Sequence, residues 1–297
     1  MEKLIALFCA LCLMAGCASV PPESEEAPLK KEPAAEKISQ SVEKSAVYGA
    51  AVQTAAYTVE SQIRADTVYD EDGALLVNYR YEVPHLTAWD EGGEPWACQD
   101  DDVAANLETF NGRFEEWLSG EDFQEKADEA RAFYEDWKAE RETAQSEAVW
   151  SREFLYDLSF TSYMTTDLIS ISGRYYDYSG GAHGMTVLLG WNYDLTGRRF
   201  IGPLELAADQ AAFTEAVARE ILAQIGPGDP LYWDDYDEIV ACWPNYAVSF
   251  NEEGMEVGFS PYELACYAAG PQQFQISREF MEPYLSDYGR ALLGYAA

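Results

Sequence analysis

The sequence predicts an α+β fold: antiparallel strand hairpins and sheets with helices packed to one side, arranged as two sequential α+β subdomains. Three observations predict it. Several stretches alternate every second residue and are rich in β-formers, and each is bounded by a Gly- or Asp-bearing turn. Other segments carry apolar residues at helical spacing. Strands and helices fall in separate runs, and no internal repeat of fixed period is present.

The elements follow in order. Tyr57 to Tyr69 alternates, Asp70-Glu71-Asp72-Gly73 turns, and Ala74 to Val83 is a second strand closed by Pro84. Glu91 to Pro95 is a loop. From Asp100 to Leu118 the apolar positions are Val103, Leu107, Phe110, Phe114 and Trp117, a helical spacing with an acidic start that suits the helix dipole. Gly120 interrupts, and a second helix is expected over about 122–148. Strands return at Arg152–Ser162, Thr166–Tyr178 and Met185–Leu195, the last two joined by the tight turn Ser179-Gly180-Gly181-Ala182-His183-Gly184. A helix from Asp209 to Ile225 stops at Gly226-Pro227-Gly228. A hairpin spans Tyr246–Phe250 and Met255–Phe259, and a final helix spans Ser277 to about Leu293. The subdomains are expected at 46–165 and 166–297.

The chain begins with an export signal. An apolar run from Leu4 to Ala15 is too short to span a bilayer and ends in Leu13-Met14-Ala15-Gly16-Cys17. Small residues followed by Cys form a lipobox-like cut, so residues 1–16 read as a lipoprotein signal peptide and Cys17 as the lipidated first residue. Residues 17–45 are rich in Pro, Glu, Ala, Ser and Lys and read as a disordered tether. The expected location is the extracytoplasmic face of the cell membrane, held by the lipid anchor alone.

A formal net charge of −34 argues against nucleic acid, whose phosphates need Lys and Arg, and against anionic lipid. It either favours encounter with a cationic partner or is simply a solvated, acidic extracellular surface with no partner meaning, and charge alone points to the second. Of the six Cys, Cys9 and Cys12 leave with the signal and Cys17 is lipidated. Cys242 and Cys266 flank the late hairpin at similar distances from its turn, and a disulfide between them is expected. Cys98 is then left over, and no spacing suggests zinc.

Chemistry is sparse in the sequence. The two histidines, His85 and His183, sit in no HExxH pattern, and no GxSxG occurs. Asp100-Asp101-Asp102 and Asp234-Asp235-Tyr236-Asp237-Glu238 are acidic enough to attract Ca²⁺, but neither has the loop pattern of a calcium site, and both read as solvated acidic loops. No catalytic residue, metal or cofactor is expected, and the chain reads as a non-enzyme. His183 in its glycine turn reads either as a partner contact or as a structural histidine bonded to backbone. Tyr262 beside Pro261, and Tyr267 before Gly270-Pro271, read either as interface anchors or as rings packed over a sheet.

Tyr176-Asp177-Tyr178-Ser179-Gly180-Gly181-Ala182-His183-Gly184 resembles a Tyr-x-Tyr-Thr/Ser-Gly-Gly-Ala-His-Gly segment of the PdaC/RsiV-like envelope domains. Asn192 to Arg198 resembles their next strand and turn, and Leu204-Glu205-Leu206 the step before their helix. Phe259 to Pro271 is similar to their closing motif, with Cys266 where Pro is usual and Phe274–Ser277 as a short last strand. The Asp229–Glu238 loop has no counterpart in that pattern. Such domains form the extracellular part of a lysozyme-sensing anti-sigma factor, or precede a peptidoglycan deacetylase domain. The resemblance implies a stand-alone binding module for a cell-wall component such as peptidoglycan, or for a cationic wall-degrading protein such as lysozyme. Contacts are expected at Ser179, Gly180, Gly181, His183, Pro261, Tyr262 and Tyr267. The alternative is an accessory or catalytic domain in peptidoglycan modification.

Overall fold

A computed structural model describes residues 56–90, 92–96 and 100–295. The expected signal peptide, Cys17, the expected tether and Cys98 lie outside the described residues. The described residues all fall within one compact unit. Among the described residues, no helix is long and apolar enough to cross a membrane.

The chain is α+β, as expected. One sheet has six strands in chain order: β1 (Ala56–Tyr69), β2 (Leu75–Trp89), β3 (Phe154–Met164), β4 (Leu168–Tyr178), β5 (Met185–Asp194) and β6 (Arg199–Ile201). A second has three: β7 (Ala247–Asn251), β8 (Gly254–Phe259) and β9 (Gln272–Ser277). Between β2 and β3 lie α1 (Asp101–Gly112), α2 (Glu115–Ser119) and α3 (Phe123–Ala144). Then α4 (Gln210–Ile225) and α5 (Tyr236–Ala241) precede the small sheet, and α6 (Arg278–Met281) and α7 (Asp287–Leu292) follow it. All pairings are antiparallel except β2 with β3, which run parallel from Val77↔Phe154 to Tyr81↔Leu158. The three helices between them supply the crossover that a parallel pair requires. The expected subdomain boundary at 165/166 falls in the turn between β3 and β4, inside one sheet.

Local chemistry sets the helix ends. Asp100 caps α1 by accepting the Asp102 and Val103 N–H groups, and Gly112 ends it, so the expected helix over 100–118 is two pieces. Asp209 caps α4 in the same way, accepting from Ala211 and Ala212 at 3.0 and 3.1 Å. Two expectations change. Pro84 does not close β2, which continues to Trp89 with Pro84 opposite Ser61. Only Val77–Tyr81 pair with β3, so no strand on that side needs the missing Pro84 N–H. The single last helix is instead α6, a 3-10 turn at Glu282–Tyr284, and α7, because Pro283 cannot continue the ladder.

Two apolar clusters hold the molecule. In the first, alternate residues Tyr79, Tyr81 and Val83 of β2 meet Phe110, Phe114 and Tyr134 from the helices. Burial pushes the Tyr81 and Tyr175 phenols well up, and their hydroxyls touch at 3.4 Å. In the second, Phe213, Val217 and Ile221 of α4 cover Val248, Val257 and Ile276 of the small sheet. The two sheets meet at a glycine. A Cβ on Gly190 would run into the Val248 backbone, so only glycine lets β7 lie directly on β5. Beside it, the Ser170 hydroxyl donates to Asn192 Oδ1 at 2.7 Å and accepts the Phe250 N–H at 2.6 Å. Asn192 Nδ2 donates to the Val248 carbonyl at 3.0 Å. This buried network is fully paired and fixes how the small sheet is placed on the large one.

Candidate functional site

That seam brings the turn after β4 to the loop after β8. The turn is built on its glycines. Gly180 has φ +88°, and a Cβ there would stand 2.8 Å from the Phe133 ring of α3. Tyr178 donates its hydroxyl to the Gly181 carbonyl at 3.2 Å. Ser179 hydrogen-bonds Asp177, whose carboxyl burial pushes up against the opposing pull of Lys126. Ser179, Gly180 and Gly181 therefore shape the turn, and Ser179, Gly181, Ala182 and His183 are exposed on it.

The loop after β8 is shaped as tightly. Pro261 is buried, and Tyr262 is 41% exposed at φ +73°, a conformation that residues other than glycine avoid. Tyr262 N–H donates to the Ala265 carbonyl at 3.0 Å. The two segments meet through their rings. His183 stacks on Tyr267 with centroids 3.6 Å apart and planes 15° apart. Its Nε2 lies 3.3 Å from the Tyr262 hydroxyl, and its Nδ1 lies 3.0 Å from the Gly184 carbonyl. Tyr262 and Tyr267 are 5.8 Å apart. His183, Tyr262 and Tyr267 thus form one aromatic platform from segments about 80 residues apart in sequence.

Sequence reasoning missed the platform's neighbour. The Asp229–Glu238 loop is stitched along the closing loop. Tyr232 bridges Ala265, Trp233 N–H donates to the Leu264 carbonyl at 3.0 Å, and Trp233 Nε1 donates to the Tyr262 carbonyl at 3.2 Å. Tyr232 donates its hydroxyl to Gln272 at 2.9 Å. Leu231 and Trp233 remain 41% and 37% exposed, so the platform extends into an apolar patch. The signal was the apolar triplet Leu231-Tyr232-Trp233 set between carboxylates. Asp229, Asp234, Asp235, Asp237 and Glu238 are exposed on the same segment. No Lys, Arg or His occurs between Arg219 and Arg278, a stretch with ten acidic residues. Among the described residues, none of those ten acids joins an ion pair.

The remaining assignments separate. Asp100-Asp101-Asp102 is a helix start, and Asp102 pairs with Arg198 at 2.8 Å. Among the described residues, no group of three or more His, Cys, Asp or Glu is placed to hold a metal ion. Cys242 and Cys266 are both exposed free thiols, so the expected disulfide is not made here. The hairpin ladder ends at Ala247↔Gly258. Beyond it Cys242 caps α5 and Cys266 opens a 3-10 turn, so equal distance from the hairpin turn does not make them a cross-strand pair. Glu263 is half-buried, and burial pushes its carboxyl up to about 7. It is turned to Ser260, whose backbone N–H it accepts.

Comparison with known proteins fits this architecture. The family model described as Deacetylase PdaC matches residues 30–186, and that of a protein of unknown function, DUF3298, matches residues 207–279. The crystal structure of a DUF3298-family member from Bacteroides fragilis is similar at TM-score 0.54 and 18% identity, covering 81% of this chain and 98% of that one. A DUF3298-family protein from Pseudomonas aeruginosa aligns at TM-score 0.43 and 14% identity, covering 79% and 95%. No curated protein matches. The first likeness supports the fold, and the PdaC match spans more than half of the chain. This chain therefore belongs to the PdaC family, with a DUF3298 region behind the PdaC region, and is a PdaC/RsiV-like, envelope-associated protein.

Proposed function

We propose that the protein is a non-catalytic binding module of the cell envelope, anchored through Cys17 on the outer face of the membrane, and that its ligand is a cationic wall-degrading protein such as lysozyme. One observation carries the reading. The apolar patch of Tyr262, Trp233 and Leu231 lies on a stretch of ten acids without a single base. Rigid aromatic anchors within a carboxylate rim are complementary to a surface rich in Lys and Arg. The turn carrying His183 gives the patch a firm edge, because its ring stacks on Tyr267. A wall glycan is the other ligand class, since exposed Trp and Tyr faces also stack on sugars.

A role in peptidoglycan modification draws on Glu263, a carboxyl that burial pushes up to about 7, next in sequence to Tyr262, whose hydroxyl reaches His183. Its carboxylate is engaged with Ser260, beneath the turn. Titration of the purified chain with a cationic lysozyme at two salt concentrations tests the main reading. Saturable one-to-one binding that survives moderate salt is expected. Binding that is absent, or non-stoichiometric and lost with salt, rejects the lysozyme partner. Release of acetate from peptidoglycan by the chain alone would reject the non-catalytic assignment.

A further inference from the structure

The large sheet has one long edge that carries no neighbour. β1 lies outermost and pairs only with β2. Which of its residues face outward follows from β2. Asn111 of α1 donates to the Leu86 carbonyl at 3.1 Å and accepts the Leu86 N–H at 2.7 Å, so both backbone groups of Leu86 point away from β1. In an antiparallel pair, opposite residues either bond each other or both turn outward. Val59, opposite Leu86, therefore turns outward, and so does Ser61, opposite Pro84, which has no N–H to give. The register is unbroken from Ala56 to Val68. Hence Tyr57, Val59, Ser61, Ile63, Ala65 and Thr67 present their N–H and carbonyl groups at the free edge.

Backbone groups on other strands are answered by side chains. Trp150 Nε1 donates to the Leu75 carbonyl at 2.7 Å, and Gln224 Nε2 to the Gln275 carbonyl at 2.9 Å. Ser170 and Asn192 do the same for β7. Among the described residues, no hydrogen bond reaches the outer edge of β1. The strand is also bare at its centre. Glu60, Ser61, Gln62 and Ile63 are all exposed, Ile63 to 55%. A long open edge with an exposed apolar residue is a template for another strand.

We propose that this edge joins two copies of the chain, β1 of one lying antiparallel to β1 of the other about a two-fold axis at Gln62. The sequence of the strand selects that partner. Centred on Gln62, the stretch from Tyr57 to Thr67 overlaps its copy completely, and outward residues meet outward residues: Ser61 with Ile63, Val59 with Ala65, Tyr57 with Thr67. Glu60 falls opposite Arg64 of the other copy, twice by symmetry, in the non-hydrogen-bonded positions where side chains come closest. Moving the register by one pleat loses this match. One direction sets Glu60 against Asp66, the other against Gln62. Arg64 is already held in place, its Nε donating to Asp66 at 3.0 Å and its Nη1 to the Leu118 carbonyl at 3.0 Å. Among the described residues, Glu60 joins no ion pair. The pairing works against overall charge, since each chain carries a formal net charge of −34. Salt screens that repulsion, so association strengthens with salt, the reverse of binding to a cationic protein.

The test is sedimentation of the full chain over a range of concentrations at two salt concentrations, read together with amide exchange by NMR. A monomer–dimer equilibrium that moves toward dimer with salt is expected. In the dimer the amides of Val59, Ser61, Ile63 and Ala65 should gain protection several-fold, while those of Glu60, Gln62 and Arg64, already bonded to β2, should change little. Ser61→Pro removes one outward N–H and leaves the β1–β2 ladder whole. It should weaken dimerisation at least about tenfold with the melt unchanged. Glu60→Gln should weaken it about fivefold even though it lowers the net charge, whereas Glu125→Gln on α3 should leave it unchanged or slightly stronger. A chain that stays monomeric at both salt concentrations up to about 1 mM overturns the proposal. So does a dimer that survives Ser61→Pro, or one whose new protection lies elsewhere or does not alternate along β1. Tighter association on Glu60→Gln rejects the register centred on Gln62, and with it the second copy as the selected partner.

Discussion

The stretch up to Arg219 and the stretch from residue 220 to 277 handle charge in opposite ways. In the first, some carboxylates are answered by bases: Asp122 meets Lys126 at 2.6 Å, Asp70 meets Lys138 at 3.2 Å, and Asp102 meets Arg198 at 2.8 Å. Several of its cations also cover aromatic faces, as Lys126 does over Tyr156 at 4.7 Å. In the second, ten acids have no base in the sequence, and the aromatic rings Trp233 and Tyr262 stay open to solvent. The first region answers part of its excess of carboxylates with bases, whereas the second answers none and sets its exposed aromatic rings among them. Uncovered features that fold stability does not explain are the usual mark of a contact surface.

The seam between the two regions gives the largest expected effect. Gly190→Val puts a side chain where the Val248 backbone lies, and should cost roughly 3 kcal/mol in a denaturant melt. A cost under about 0.5 kcal/mol would mean that the small sheet is not seated on β5. Ser170→Ala leaves the Phe250 N–H without its acceptor and should cost about 2 kcal/mol in the same assay.

Next come the changes that separate binding from stability. Tyr262→Ala should weaken binding of a cationic lysozyme about tenfold or more while moving the melt by no more than about 1 kcal/mol. Equal losses of both would make Tyr262 a packing residue. Neutralising Asp234, Asp235 and Asp237 together should weaken binding about three- to tenfold at low salt and flatten its salt dependence. The same number of charges removed from α3, at Glu125, Asp128 and Glu140, should change it less than about twofold. Equal effects from the two sets would reduce the contrast to bulk charge. The smallest effect is inside the compensated region. Lys126→Met loses an ion pair and a cation–π contact and should cost about 1 kcal/mol or less, with binding unchanged.

The sequence carried the fold wherever period and capping agree. The β1–β2 hairpin around Asp72-Gly73 and the Asp209-capped helix are examples. It misplaced the end of β2 because Pro84 is a strand breaker only where a neighbouring strand needs its N–H. The parallel β2–β3 pair was invisible, since pairing partners across a long helical crossover leave no local trace. At the site, each of His183, Tyr262 and Tyr267 was legible as a residue on a shaped loop. Their meeting depends on β7 lying against Gly190, which spacing along the chain does not encode. Trp233 was hidden in a loop whose acids suggested solvation, although its apolar triplet is stitched to the closing loop. The cysteine pairing failed because sequence distance from a turn measures position only as far as the ladder extends.

The most direct test maps the contact itself. Hydrogen exchange of the full chain, with and without a cationic lysozyme, should show new protection over 179–184, 229–238 and 260–270, and none on the exposed face of α3. Protection confined to α1–α3 or to the β1–β2 hairpin, with those three segments unchanged, would contradict the assignment of the base-free surface as the binding site.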